Sequence, residues 1–239
     1  MKQITIYLLA ALVAVFTTHN IQAQNAQDYP AEFIFKLGIT YEMTSGKPGD
    51  TQKTMETTFW FSDQNYSGFN MGGQLGMMMV FDLPRNQLLS FIESQKMVMI
   101  MDLKKMQNKA DSMNKAHNGD TSRNDVKIRK TGKTEKILGY TCEQYQVTSK
   151  NTNMQIWLTK ELGVSYAGFS KSFPMMMRAN RSGNSTPDLK DAANSVMLRM
   201  ETTSLESGAT SKLEAKSIQK EGKTFPTAGY KKISMPGME

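Results

Sequence analysis

The sequence predicts a mainly β fold with some α: a curved antiparallel sheet covered by two or three short helices. The first observation behind this is a pair of alternating runs. In Tyr140–Ser149, Thr141, Glu143, Tyr145 and Val147 alternate with Tyr140, Cys142, Gln144 and Gln146, and in the next run Met154, Ile156 and Leu158 alternate with Gln155, Trp157 and Thr159. A repeat of two places successive side chains on opposite faces, which is what a strand does. The connector Lys150–Asn153 carries Asn residues that tolerate left-handed backbone, so the runs are expected to pair as an antiparallel hairpin. The second observation is Gly139, which interrupts the run before Tyr140 and suits a bulge or sharp bend that curves the sheet. The third is a change of period after Asp102, where apolar residues begin to recur every three or four positions.

Taken in order, Met1–Ala23 has a basic start at Lys2, an apolar run from Ile4 to Phe16 and a small residue at Ala23, the pattern of a signal peptide. That run is shorter than the ~20 residues a bilayer requires, and no second run of that length follows. Residues 24–239 are therefore expected as a single exported domain, periplasmic or secreted, with no transmembrane segment and no Cys after the cleavage site to carry a lipid. Phe33, Phe35, Leu37, Ile39 and Tyr41 share one face of a first strand. A turn at Gly46–Asp50 leads to a second strand over Met55–Ser62, and Asn70–Gly76 reads as a flexible loop. Met77–Asp82 and Leu88–Glu93 are two further short strands on either side of a turn at Pro84–Gln87.

Lys96–Asp102 is apolar on both alternating sets, Met97, Met99 and Met101 on one side and Val98 and Ile100 on the other. A strand apolar on both faces is covered on both. One face goes to a core; the other needs a helix, a lid or a bound apolar molecule. Leu103, Met106, Ala110, Met113 and His117 then mark an amphipathic helix, ended by Asn118-Gly119, as the natural cover. After the central hairpin, Tyr166, Phe169 and Phe173 share a helical face that Pro174 terminates, and Pro187–Ala193 forms a short helix begun by Ser185 or Thr186. Val196–Leu205, Lys212–Lys220 and Tyr230–Met235 are the closing strands, the last two separated by Gly222 and Pro226.

Charge and motif exclude several functions. The net charge of +7 falls to +6 once Lys2 leaves with the leader, and the cations are scattered among carboxylates, unlike a nucleic-acid stripe. Gly132-Lys133-Thr134 lacks the additional Gly of a phosphate loop, since Lys127 stands where it is needed. The one His beyond the leader, His117, has no Gly-x-Ser-x-Gly partner, and Asp188 with Asp191 reads as helix capping. Cys142 lies in a strand among apolar neighbours and reads as a half-buried, unreactive thiol. No enzyme, cofactor or nucleic-acid partner is expected.

The anomaly is methionine, 20 in all, clustered at Met77–Met79, Met97–Met101 and Met175–Met177. Thioethers fill irregular core, line adaptable apolar pockets, or ligate Cu(I), and all three readings stand at this point. The first two differ only in whether the face is filled by the chain itself. Cu(I) binding is harder to arrange, because alternate residues of a strand lie ~7 Å apart and need help from another element.

Gly132 to Glu143 (GKTEKILGYTCE) and Trp157 to Gly163 (WLTKELG) resemble the DUF4412 family of exported bacterial proteins, and Phe225 to Ile233 (FPTAGYKKI) is similar to that family's closing strand. The resemblance implies an architecture similar to the lipoprotein carriers LolA and LolB: an open half-barrel whose concave apolar face is covered by helices and receives acyl chains. On that basis Met97, Met99, Met101, Leu103, Met106, Met113, Tyr166 and Phe169 are the expected lining of a ligand cavity, with no catalytic residue and no metal site. The expected function is non-enzymatic binding of a lipid, acyl chain or other apolar small molecule. The alternatives are a Met-rich Cu(I)-binding protein and an envelope protein-interaction or structural module with a protein partner and no small ligand.

Overall fold

The computed structural model describes residues 28–47, 49, 51–71, 76–106, 108, 109, 112, 127–164 and 194–233. The chain divides into two compact units, Met1–Ala31 and Glu32–Glu239, and all the strands belong to the second. β2 (Leu37–Gly46), β3 (Lys53–Phe61), β4 (Tyr66–Met71), β5 (Met77–Asp82), β6 (Gln87–Ile92) and β7 (Met97–Asp102) follow one another as an antiparallel meander. A second meander comprises β8 (Lys127–Ile137), β9 (Tyr140–Thr148), β10 (Thr152–Thr159), β11 (Val196–Ser204) and β12 (Thr210–Gln219). β12 pairs with β2 and joins the two halves, while β14 (Lys231–Ile233) runs parallel to β7 at one end. The result is an open 12-stranded sheet that ends in β14 on one side and β8 on the other. β1 (Glu32–Phe35) and β13 (Lys223–Pro226) form a separate antiparallel ribbon.

The central hairpin pairs as its alternation predicts, with Met154 opposite Val147 and Ile156 opposite Tyr145. These residues enter a core with Leu37, Ile39, Tyr41, Phe59, Phe61, Leu213 and Met200, so one buried layer runs across the seam between β2 and β12. Side-chain contacts reach over intervening strands and follow the curvature of the sheet. The Tyr41 hydroxyl on β2 donates to the Met197 carbonyl on β11, 2.6 Å away beyond β12. Arg199 on β11 meets Glu135 on β8 at 2.8 Å, across β10 and β9.

Four local expectations change. The run Phe33–Tyr41 is two strands, not one, broken at Lys36, whose N–H donates to the Phe61 carbonyl at 2.8 Å. The alternating apolar set continues through the break but serves opposite faces of the sheet. Leu37, Ile39 and Tyr41 pack with Phe59 and Phe61, whereas Phe35 packs with Trp60 and Tyr66. Gly139 does not make a bulge. Leu138 (φ 50°) and Gly139 (φ 86°) are the two central residues of a tight hairpin turn between Ile137 and Tyr140, a geometry that needs positive φ at both. The bulge lies earlier in β8, where the register slips between Lys130 and Thr134 around Gly132. Asn70 and Met71 belong to β4 rather than to a loop, and Lys223–Pro226, expected only to separate the last two strands, forms β13 in the ribbon.

Residues 103–106, 108, 109 and 112 are helical, starting where the period changes. Asp102 caps them: its Oδ1 accepts the Lys105 backbone N–H at 2.8 Å, which holds the carboxyl below its usual range. The rest of the Leu103–His117 helix, and the helices expected near Tyr166–Phe173 and Pro187–Ala193, lie outside the described residues. No helix among the described residues is long and apolar enough to cross a membrane.

Candidate functional site

Strand alternation puts Met97, Met99 and Met101 on one side of β7 and Val98 and Ile100 on the other. Register then supplies their neighbours. Met101 faces Leu88 and, beyond it, Phe81; Met99 faces Ser90 and then Met79; Met97 faces Ile92 and then Met77. Three cross-strand rows result, and the middle one has its smallest residue, Ser90, between two thioethers. Ser90 is buried at 2% exposure while Met79 and Met99 are half-buried, so the methionine side chains stand outermost in this row.

The opposite face of the same strands is closed except at Ile100, which is half-buried. Val80, Leu89, Phe91 and Val98 are fully buried there. What covers this end is the β1–β13 ribbon. Phe91 meets Phe225 and Tyr230 edge-on with ring centroids 5.0 Å apart in each case, and Phe33 meets Tyr66 at 5.1 Å. The Tyr66 hydroxyl receives the Ile34 N–H at 2.8 Å and donates to the Ile34 carbonyl at 2.9 Å. It thereby ties the Ile34 backbone of the ribbon to β4 from both its N–H and its carbonyl. Gly68 lets the ribbon approach, since a Cβ there would stand 2.5 Å from Met78 Cε and 2.8 Å from Phe35 Cζ.

Of the expected lining residues, Met101, Leu103 and Met106 come together. Leu103 is buried with Phe81 and Leu88, and Met101 and Met106 pack against that group with Met79 and Leu83. Met97 and Met99 extend the same face along β7. Met113, Tyr166 and Phe169 lie outside the described residues. Sequence reasoning missed Met79, Phe81, Leu83 and Leu88. The alternation of Met77–Asp82 carries a signal for Met79 and Phe81, and that of Leu88–Glu93 one for Leu88.

None of the side chains on this face titrates, so it offers apolar contact and polarizable sulfur rather than proton transfer. Among the described residues no group of three or more His, Cys, Asp or Glu side chains converges to hold a metal ion. Cys142 is fully rather than half buried, and burial pushes its thiol up to about 11, away from thiolate chemistry. Where β14 joins β7, Glu93, Lys96 and Tyr230 fasten it to the sheet: Tyr230 donates to Glu93, Lys96 pairs with Glu93, and Lys96 Nζ lies 5.0 Å from the Tyr230 ring centroid.

No curated protein matches this sequence. Solved structures similar to it include PNGF-II, at 13% identity and a TM-score of 0.35, with 83% of this chain and 31% of that one covered. The chain thus spans about a third of PNGF-II. An uncharacterized conserved protein from Thermus thermophilus is similar over 84% of this chain and 91% of its own, at 7% identity and a TM-score of 0.43. A LolA superfamily protein from Nitrosomonas europaea is similar over 80% and 87%, at 10% identity and a TM-score of 0.31. A family model described as a domain of unknown function, DUF4412, matches residues 40–221, ending before the Phe225–Ile233 segment. That span covers most of the two meanders, and the chain belongs to the DUF4412 family.

Proposed function

We propose that this chain is an exported, non-enzymatic binding protein that holds a lipid, an acyl chain or another apolar molecule against the methionine face of β5–β7. The observation that carries the reading is an asymmetry within one strand. Of the two residues on the ribbon side, Val98 is fully buried and Ile100 half-buried, while all three on the other side, Met97, Met99 and Met101, remain half-buried. A row of long apolar side chains that is incompletely covered marks a contact surface. Thioethers suit a ligand of variable shape, because Met has three rotatable bonds and a polarizable sulfur. The signal-peptide pattern of Met1–Ala23 supports a periplasmic or secreted address.

The test is an intact-mass measurement under native conditions on chain exported by a bacterial host and purified without detergent. An adduct of lipid mass is expected, and it should be absent from Met99→Asp while that variant keeps its cooperative melt. A charge is tolerated at this position only if water reaches it. Global unfolding of Met99→Asp would identify the face as ordinary core. A bare mass that persists after incubation with lipid extract would leave a protein-interaction module as the better account, and a copper-sized increment removed by chelator would replace the lipid reading altogether.

A further inference from the structure

At the other end of the sheet, β8 carries Lys127, Arg129, Lys130, Lys133 and Lys136 against a single carboxylate, Glu135. Two of these charges are already matched: Glu135 is engaged by Arg199 at 2.8 Å, and Lys130 pairs with Glu143 at 2.6 Å. Among the described residues Arg129 and Lys133 enter no ion pair. They flank the bulge, where Gly132 has φ 82° and empty space on its Cβ side. The slipped register opens a groove of about 240 Å³ lined by Arg129, Lys130, Thr131, Lys133, Gln144, Gln146 and Gln155.

The hydrogen bonds in this groove run in one direction. Thr131 donates to Gln144 Oε1 at 2.9 Å, and Gln144 Nε2 donates to Gln155 Oε1 at 2.9 Å. Arg129 Nε donates to Gln146 Oε1 at 2.9 Å, and Gln146 Nε2 passes on to Asn153 Oδ1 at 3.2 Å. Each glutamine carbonyl is therefore taken by a neighbour, and the groove presents cations and N–H donors. A lysine-rich edge strand by itself is ordinary protection against edge pairing. That explanation covers Lys127 and Lys136 but not a bulge backed by amides whose carbonyls already accept from their neighbours.

We propose that this groove binds a tetrahedral oxyanion, a phosphate or sulfate group, between Arg129 and Lys133. Cationic donors stand on both sides of the bulge, Arg129 before it and Lys133 after it, a wider spread of directions than a planar carboxylate can satisfy. The volume leaves room for an organic substituent on the anion. The site is independent of the methionine face and differs from a phosphate loop, since a strand bulge takes the place of a helix start.

The experiment titrates the full chain with sodium phosphate, sodium sulfate and sodium acetate at constant ionic strength, following the backbone amide resonances of Thr131, Lys133 and Gln144. Phosphate and sulfate should give saturable shifts. Binding should weaken at least tenfold in the double variant Arg129→Gln, Lys133→Gln, whose side chains are exposed and whose melt should match the parent. Cosedimentation with phosphatidylglycerol vesicles, set against phosphatidylcholine, identifies the source. Vesicle binding that disappears in the double variant makes the anion a lipid headgroup, and phosphate binding without vesicle binding makes it a soluble ester. Absence of saturation, equal shifts with acetate, or shifts that survive in the double variant overturns the proposal.

Discussion

At the scale of single residues, the closest fits lie where the ribbon touches the sheet. Gly68 stands opposite Trp60 and Val80 in the register of β3, β4 and β5, and the Phe35 ring occupies the space a side chain would need. Met78 Cε is the end of a flexible chain and can move, but Phe35 is 2% exposed and packed edge-on against Tyr66. Gly68→Ala should therefore destabilise the protein by about 1–3 kcal/mol, the usual range for overpacking. A urea unfolding midpoint equal to that of the parent would show that the ribbon yields freely and packs loosely. Gly222 belongs to the same contact: at φ 70°, its Cβ position would fall 2.3 Å from the Phe35 carbonyl oxygen. Nothing in the local sequence marks either glycine as a packing residue, because the Phe35 atoms that both accommodate come from a strand more than thirty residues away.

At the scale of elements, the corner where β14 joins β7 depends on two titrating groups. The Lys231 N–H donates to the Lys96 carbonyl at 2.8 Å, and Tyr230 reaches back to Glu93. Hydrogen bonds from Lys96 first and Tyr230 second hold Glu93 below its usual range, while burial first and Glu93 second push the Tyr230 hydroxyl upward. A depressed carboxylate contributes stability that is present above its unfolded value of 4.5 and lost as pH falls through the folded one. A raised phenol contributes stability that is present below its unfolded value of 10.0 and lost as pH rises beyond it. Tyr230→Phe should thus cost about 1 kcal/mol near neutral pH. The gap should narrow at both extremes, which urea melts at about pH 3, 7 and 11 would detect. A gap independent of pH would show that the Tyr230–Glu93 hydrogen bond does not carry the effect. Elements of this kind were legible unevenly. Alternation located β5, β6, β7, β9, β10 and β11, and the change of period located the helix start at Leu103. The Lys36 break was invisible because the alternating set runs through it unchanged, and β4 was hidden because Gly68 and Asn70 dilute its pattern. Gly139 read as a bend when it was a turn, since Leu138, a residue with no preference for positive φ, occupies the other central position.

At the scale of the whole molecule, the two meanders are assembled from sequence neighbours, so their pairings follow from local patterns. The joins are different. β2 with β12, β1 with β13 and β7 with β14 each pair an early strand with one from the last thirty residues, and no periodicity within a window can announce such partners. For the same reason the methionines of β7 were legible as one face, whereas the ribbon that closes the other face was not. A chain ending at Glu221 keeps the span that matches the family model but removes β13 and β14. Phe225 and Tyr230 leave the aromatic cluster, Phe91 loses both of its 5.0 Å neighbours, and β1 loses its backbone partner. Losing one buried ring costs about 3–5 kcal/mol, a large share of the ~5–15 kcal/mol that holds a domain together. The truncated chain should therefore bind a hydrophobic dye and melt at lower temperature, or fail to melt cooperatively. Phe225→Ala in the full chain should reproduce a large part of that loss. If the shortened chain instead melts with the parent and stays dark with the dye, the ribbon is an accessory to a sheet that is stable alone. The half-exposure of the methionine face would then lose its contrast, because the opposite face of β7 could also stand open.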